Sequence, residues 1–273
     1  MTTPTASPTP ALGSAAPSVR GRFLWHDYMA HDVAAAQRFY GAVLGWGAQP
    51  WDGAMPYTMW TADGIPRGGY MAMPDEVRAQ GAPPHWLTYV GVKDVDAAVA
   101  QAAALGARAC FPAEDIPGVG RIAGIFDPQG ALIAFYTPAT PSDEPVGMAP
   151  VGDVSWHELV TSDAPAALDF YAAMFGWERH DDHDMGEFGI YHVFGRNGQM
   201  VGGAYTKPEQ MGDVPPNWVP YFRVEDIDAV VARVTANGGT ILNGPMEVPG
   251  GDRVAVAMDA QGGAFGVHEV RSA

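Results

Sequence analysis

The sequence has one cysteine, Cys110, in 273 residues, which excludes an internal disulfide framework and any multi-cysteine zinc site. That thiol lies in "ARACF", where a short apolar strand would bury it as an inert group. Cationic side chains are scarce as well: 15 Lys and Arg against 31 Asp and Glu give a formal charge of −16. Such a chain repels phosphate backbones and anionic lipid, so no nucleic-acid partner and no membrane partner is expected. No apolar run approaches the roughly 18 residues of a membrane span. The opening "MTTPTASPTPALGSAAPSV" has no basic residue before Arg20 and no apolar stretch of the kind secretion signals carry. It reads as a disordered tail over residues 1–20, and a cytoplasmic location is expected by default. Phosphate loops are missing too. "GRNGQMVGG" and "DGIPRGG" lack the Lys and Ser/Thr of a P-loop and the GxGxxG order of a dinucleotide site, and read as hairpin turns. No serine or cysteine nucleophile motif is visible.

What the chain does have is a repeat, with 47% apolar residues to build its cores. "WHDYMAHDVAAAQRFYGAVLGW" from Trp25 returns without a gap as "WHELVTSDAPAALDFYAAMFGW" from Trp156. "YTMW" from Tyr57 returns as "YHVF" from Tyr191, and "VKDVDAAVAQAAALGA" from Val92 as "VEDIDAVVARVTANGG" from Val224. "GRIAGIFDPQGA" from Gly120 returns as "DRVAVAMDAQGG" from Asp252. Two domains are therefore expected, over 21–138 and 153–273. The Pro-rich stretch 139–152 would join them.

Each copy holds a shorter cycle. Asp32, Asp94, Asp163 and Asp226 each precede an apolar pattern of helical spacing and can cap it. Gly106, Asn237 and Gly238 tolerate the conformation that stops the second helix of each copy. Extended segments follow every helix, so the unit is strand, helix and three strands, and it occurs four times. Phe39, Tyr40 and Trp46, with their copies Phe170, Tyr171 and Trp177, read as core packing.

An Asp-capped helix with a central FY, closing with "DPQG" before a last apolar strand, resembles the vicinal oxygen chelate (VOC) superfamily, which includes glyoxalase I, bleomycin-resistance proteins and extradiol dioxygenases. The likeness covers residues 22–138 and 153–271. "WHEL", "FYAAMFGW" and the GG strand look like tandem glyoxalase-like proteins of high-GC bacteria labelled hydroxylases. The resemblance implies an α+β fold of four βαβββ units in two tandem domains, each with a curved mixed sheet enclosing a cup. It also implies where metal ligands would stand: seven residues before each capping Asp, at Trp25, Leu87, Trp156 and Val219, and seven after the Asp of the DPxG turn, at Ala134 and Gly266. None of these side chains is a donor, so no cofactor is expected, with a divalent metal as the runner-up.

Alternation along a strand selects the residues that would line such cups instead. In the first cup they are Trp25, Asp27, Met29, His85, Leu87, Tyr89 and Tyr136. In the second they are Trp156, Glu158, Val160, Asn217, Val219, Tyr221, Arg223 and His268. The candidate ligand-binding set is accordingly Trp25, Asp27, His85, Tyr89, Tyr136, Trp156, Glu158, Asn217, Tyr221, Arg223 and His268. Asp27 with His85, or Glu158 with His268, would make an acid/base pair. Alternatively Trp25 and Trp156 plug cups without ligands, or the parity is off by one and His26 and His157 face inward. "RHDDHD" at 179–184 offers His180, Asp182 and His183 as donors, but a solvated turn is the expectation there.

The expected function is a metal-free small-molecule-binding protein that takes an aromatic or amphipathic organic ligand, of the antibiotic or secondary-metabolite class, into a Trp/Tyr-lined cup. The alternative is a glyoxalase-like lyase, isomerase or oxygenase acting on a small organic substrate. A third option leaves one domain structural, with the surface between domains or copies carrying the function. The expected partner is a small organic molecule, and the expected state is monomer or homodimer.

Overall fold

A computed structural model describes residues 19–140 and 147–271. All but the last two residues of the expected tail, and 141–146 of the expected linker, lie outside them. The first unit runs through β1 (Phe23–Ala30), α1 (Val33–Leu44), β2 (Gly47–Pro50), β3 (Thr58–Ala62) and β4 (Ile65–Ala72). A short helix α2 (Asp75–Ala79), which no sequence pattern announced, leads to the second: β5 (His85–Gly91), α3 (Val95–Ala104), β6 (Arg108–Ile116), β7 (Gly120–Phe126) and β8 (Leu132–Pro138). The third holds β9 (Val154–Thr161), α4 (Ala164–Phe175), β10 (Glu178–Asp184), β11 (Ile190–Arg196) and β12 (Gln199–Thr206). The fourth holds β13 (Asn217–Val224), α5 (Ile227–Ala236), β14 (Thr240–Glu247), β15 (Arg253–Met258) and β16 (Ala264–Glu269). Four βαβββ units are thus present, as the repeat implies.

Local chemistry sets the helix ends. Asp32, Asp94, Asp163 and Asp226 each accept the backbone N–H three residues on, at 2.9 to 3.0 Å. Gly45 and Gly176 stop α1 and α4 in the left-handed conformation, with φ of 73° and 74°. The edge stretch "RHDDHD" corrects the sequence reading: it is strand β10 rather than a turn, paired with β11 from Glu178 to Asp184. Cys110 is corrected likewise. It lies on edge strand β6 and is exposed, because that strand packs on one neighbour only.

The units pair into two eight-stranded sheets, in the orders β2-β3-β4-β1-β5-β8-β7-β6 and β10-β11-β12-β9-β13-β16-β15-β14. In each, the two first strands of the units run antiparallel at the centre. The helix-bearing faces of the two sheets meet, and the cores cross from one half to the other. One cluster joins α3, β7 and β8 to α4, β11 and β13. The other joins α1, β3 and β5 to α5, β15 and β16.

This crossing explains the FY and GW motifs. The Tyr40 hydroxyl donates to Asp259 Oδ2 at 2.9 Å, and the Tyr171 hydroxyl to Asp127 Oδ2 at 2.8 Å, so each helix is tied to the DPQG-type turn of the other half. Trp46 Nε1 donates to Gly152 O and Trp177 Nε1 to Gly21 O, again across the halves. These bonds are buried, where losing one partner costs about 1–3 kcal/mol. His26 and His157, equivalent in the repeat, meet in the same interface with Nε2 atoms 2.9 Å apart. Trp25 and Asp27, and Trp156 and Glu158, alternate with these histidines along β1 and β9 and so take the opposite face of each sheet.

Candidate functional site

Each sheet holds one buried carboxyl bonded by neutral aromatic donors. In the first, Trp25 Nε1 donates to Asp27 Oδ1 at 2.9 Å and the Tyr57 hydroxyl donates to the same oxygen at 2.5 Å. The Tyr89 hydroxyl is a third donor. Asp27 is only 5% exposed, and burial raises its pKa despite those bonds. Around it Leu87 and Tyr89 cluster with the half-buried Trp25, Met29, Phe111 and Tyr136, which gives an apolar wall.

The second cup repeats the plan with a longer acid. The Tyr221 hydroxyl donates to Glu158 Oε1 at 2.9 Å, the Tyr191 hydroxyl bonds the same carboxyl, and Trp156 Nε1 donates to the Tyr191 hydroxyl at 2.8 Å. Burial pushes the Glu158 pKa up to about 7, against the opposing pull of Tyr221 and Tyr191. Among the described residues no cation bears on it, so desolvation wins. The phenols respond in turn: Tyr57, Tyr89, Tyr191 and Tyr221 are all pushed far up by burial and by the adjacent carboxyl, and all remain protonated donors. Glu158 near neutrality can either give or take a proton, and an aromatic wall surrounds it.

The acid/base pairs expected from the sequence do not form, and the register shows why. Asp27 lies opposite Leu87, while His85 lies opposite Met29; the His85 ring turns instead to Pro83 O at 2.8 Å. Glu158 lies opposite Val219, while His268 lies beside Arg223, four residues along β13 and roughly 13 Å away. His268 bonds Asp252 and Ser155. Tyr136 donates to Val119 O at 3.0 Å, and Arg223 Nη1 to Ala149 O at 2.7 Å. Asn217 Oδ1 is buried without a partner. Trp25 and Trp156 are half-buried rather than wedged into closed cores. Sequence reasoning missed Tyr57 and Tyr191. The signal was available, since both open the repeated "YTMW" and "YHVF" segments, but strand alternation was counted only on the first and last strands.

Two family models match this architecture: the glyoxalase/bleomycin resistance protein/dioxygenase superfamily over residues 153–266 and a glyoxalase-like domain over 24–136. "Putative glyoxylase CFP32" of Mycobacterium tuberculosis is 34% identical over 251 residues, which cover 89% of this chain and 92% of that protein. The chain belongs to this superfamily. "Anthracycline biosynthesis protein DnrV" of Streptomyces peucetius is 31% identical over 259 residues, covering 90% and 92%. Among solved structures, the 2,3-dioxygenase LapB of Pseudomonas sp. KL28 superposes with a TM-score of 0.65 at 13% identity, covering 93% of this chain and 94% of that one. A Mn(II)-bound glyoxalase of Novosphingobium aromaticivorans superposes at 0.63 and 17%, covering 92% and 82%. Both share the VOC fold. Among the described residues no helix is long and apolar enough to cross a membrane.

These likenesses correct the expectation of no cofactor. A fold shared with a Mn(II)-bound glyoxalase points to a divalent metal rather than to none. The side chains at the implied positions do not fit one. Trp25, Leu87 and Ala134 in the first cup, and Trp156, Val219 and Gly266 in the second, carry no donor, and among the described residues no group of three or more His, Cys, Asp or Glu is placed to hold an ion. An ion in either cup would have to be held by some other arrangement.

Proposed function

We propose that the chain binds a small, partly aromatic organic molecule in its Trp/Tyr-lined cups, with the floor carboxyl reading a polar group of the ligand. One observation carries this reading: the carboxyl, indole and phenol cluster occurs twice, as Asp27 with Trp25, Tyr57 and Tyr89, and as Glu158 with Trp156, Tyr191 and Tyr221. A buried carboxyl with only neutral donors is costly to keep, and a ligand hydroxyl or amine would complete its shell. The half-buried rings supply stacking faces. A relative named for anthracycline biosynthesis supports a secondary-metabolite class of ligand.

A second reading, a lyase, isomerase or oxygenase on the same substrate class, is favoured by Glu158 alone. A carboxyl that titrates at about 7 matches the requirement for general acid/base work at neutral pH. Titration of the intrinsic tryptophan fluorescence with a panel of aromatic hydroxylated compounds tests the binding. Saturable quenching that weakens at least about tenfold in Trp156→Ala or Trp25→Ala is expected, and a flat response across the panel would remove the reading.

A further inference from the structure

The second cup departs from the first at three positions together. The repeat sets Ser155 against Leu24, Asp252 against Gly120 and His268 against Tyr136. In the second half the three form a polar chain. His268 Nε2 lies 3.1 Å from Asp252 Oδ2, and His268 Nδ1 lies 2.9 Å from Ser155 Oγ. In the tautomer whose Nε2–H donates to Asp252, Nδ1 presents a lone pair to the serine hydroxyl, which also lies 3.3 Å from Tyr221 O. The backbone N–H of Arg271 holds the other Asp252 oxygen at 2.9 Å. A register shift in the pairing of β9 with β13 leaves Ser155 without a cross-strand partner, between Val154 and Trp156, and such a bulge re-aims a side chain. The His268 and Asp252 side chains remain 15% and 30% exposed, so the chain is open to a diffusing molecule. Arg223 lies beside His268 in the sheet register, and its Nε–H is buried without a partner.

We propose that Ser155, His268 and Asp252 form a nucleophilic triad in the second cup, cleaving carboxylic esters of small aromatic alcohols. The inference rests on that cup admitting an aromatic ligand, as argued above. Ser155 Oγ bonds to the ester carbonyl carbon while His268 Nδ1 takes the hydroxyl proton. Collapse breaks the bond to the alcohol oxygen, and the departing alcohol takes that proton from His268. Water, losing a proton to His268, then attacks the acyl group. The bond to Oγ breaks, the carboxylic acid leaves, and His268 returns the proton to Ser155. Asp252 holds the ring and stabilises its charged form. The free Arg223 Nε–H is the donor assigned to the developing oxyanion.

The test treats the full chain with diisopropyl fluorophosphate and with p-nitrophenyl acetate, and reads the tryptophan response to aromatic compounds in parallel. Expected are one phosphoryl adduct on Ser155, none in Ser155→Ala, and labelling slowed at least about 100-fold in His268→Gln, with every variant keeping its thermal melt. Ester hydrolysis should fall in step, and Asp252→Asn should slow both. No adduct at Ser155, or one that forms as fast in His268→Gln, overturns the triad. If the tryptophan response persists in that case, only the triad falls; if it too is missing, the ligand reading falls with it.

Discussion

Replacing Glu158 by Gln keeps the shape and the acceptor for Tyr221 and removes the charge. The carboxyl titrates at about 7 in the folded chain, against an ordinary value of 4.5. The folded state therefore holds a proton through the weakly acidic range that the unfolded state has released. Stability drawn from this acid is complete below about pH 4.5 and is lost as the pH rises through 7. Integrated between pH 5 and pH 8, the loss is about 2–3 kcal/mol. Glu158→Gln has no such proton to lose, so its stability relative to wild type should rise by that amount over the same interval. Asp27, His26 and His157 are common to both proteins and cancel in the difference. Urea unfolding of each protein at both pH values, followed by tryptophan fluorescence, yields the four free energies required. A difference of differences below about 1 kcal/mol would refute the claim that burial without a cation controls this site.

The same reasoning extends to neighbouring groups. Tyr221→Phe removes the larger of the two bonds that hold the Glu158 pKa down, so the midpoint should climb above its present position, as read by carbon-13 NMR of labelled glutamate. His26 is neutral in the interface because burial lowers its pKa to about 3. The unfolded chain takes up a proton below 6.5 that the folded chain refuses, which costs about 2 kcal/mol of stability between pH 7 and pH 5. His26→Gln, which can still donate to His157, should fall less steeply in that range by the same amount. Tyr40→Phe strips Asp259 and Trp86 of a shared buried partner and should cost about 1–3 kcal/mol in a urea titration, while Phe39→Leu at the same helix should leave that network intact.

The fold was legible because the sequence repeats its punctuation. A capping Asp, a glycine stop and a DPQG-type turn recur at matched spacing, and each acts through local backbone chemistry that needs no knowledge of distant contacts. Strand alternation also placed Trp25 with Asp27, and Trp156 with Glu158, on one face of each first strand. What it could not supply is which residues on neighbouring strands stand opposite one another. His85 and His268 carry suitable chemistry on suitable strands, but the register places each a pleat or more from the carboxyl it was expected to meet. Tyr57 precedes β3 and Tyr191 lies in β11, and neither strand is a first strand of its unit, so alternation along the first strands does not bring these phenols to the carboxyls. Ser155 sits at a register shift in the pairing of β9 with β13, an irregularity that no alternation rule encodes. The FY and GW residues were recognised as packing, but their partners lie in the opposite half, which periodicity within one half does not reveal.

The tie of each FY tyrosine to the opposite half's turn makes each half part of the other's packing. Tyr171 with Asp127, like Tyr40 with Asp259, forms a buried bond that exists only while the halves are joined. The molecule thus resembles a symmetric dimer whose subunits have been spliced in series, and splicing frees a pair of once-identical bowls to diverge. An exchange in one bowl no longer imposes its image on the other, so one can be retuned while the other preserves the scaffold on which both depend.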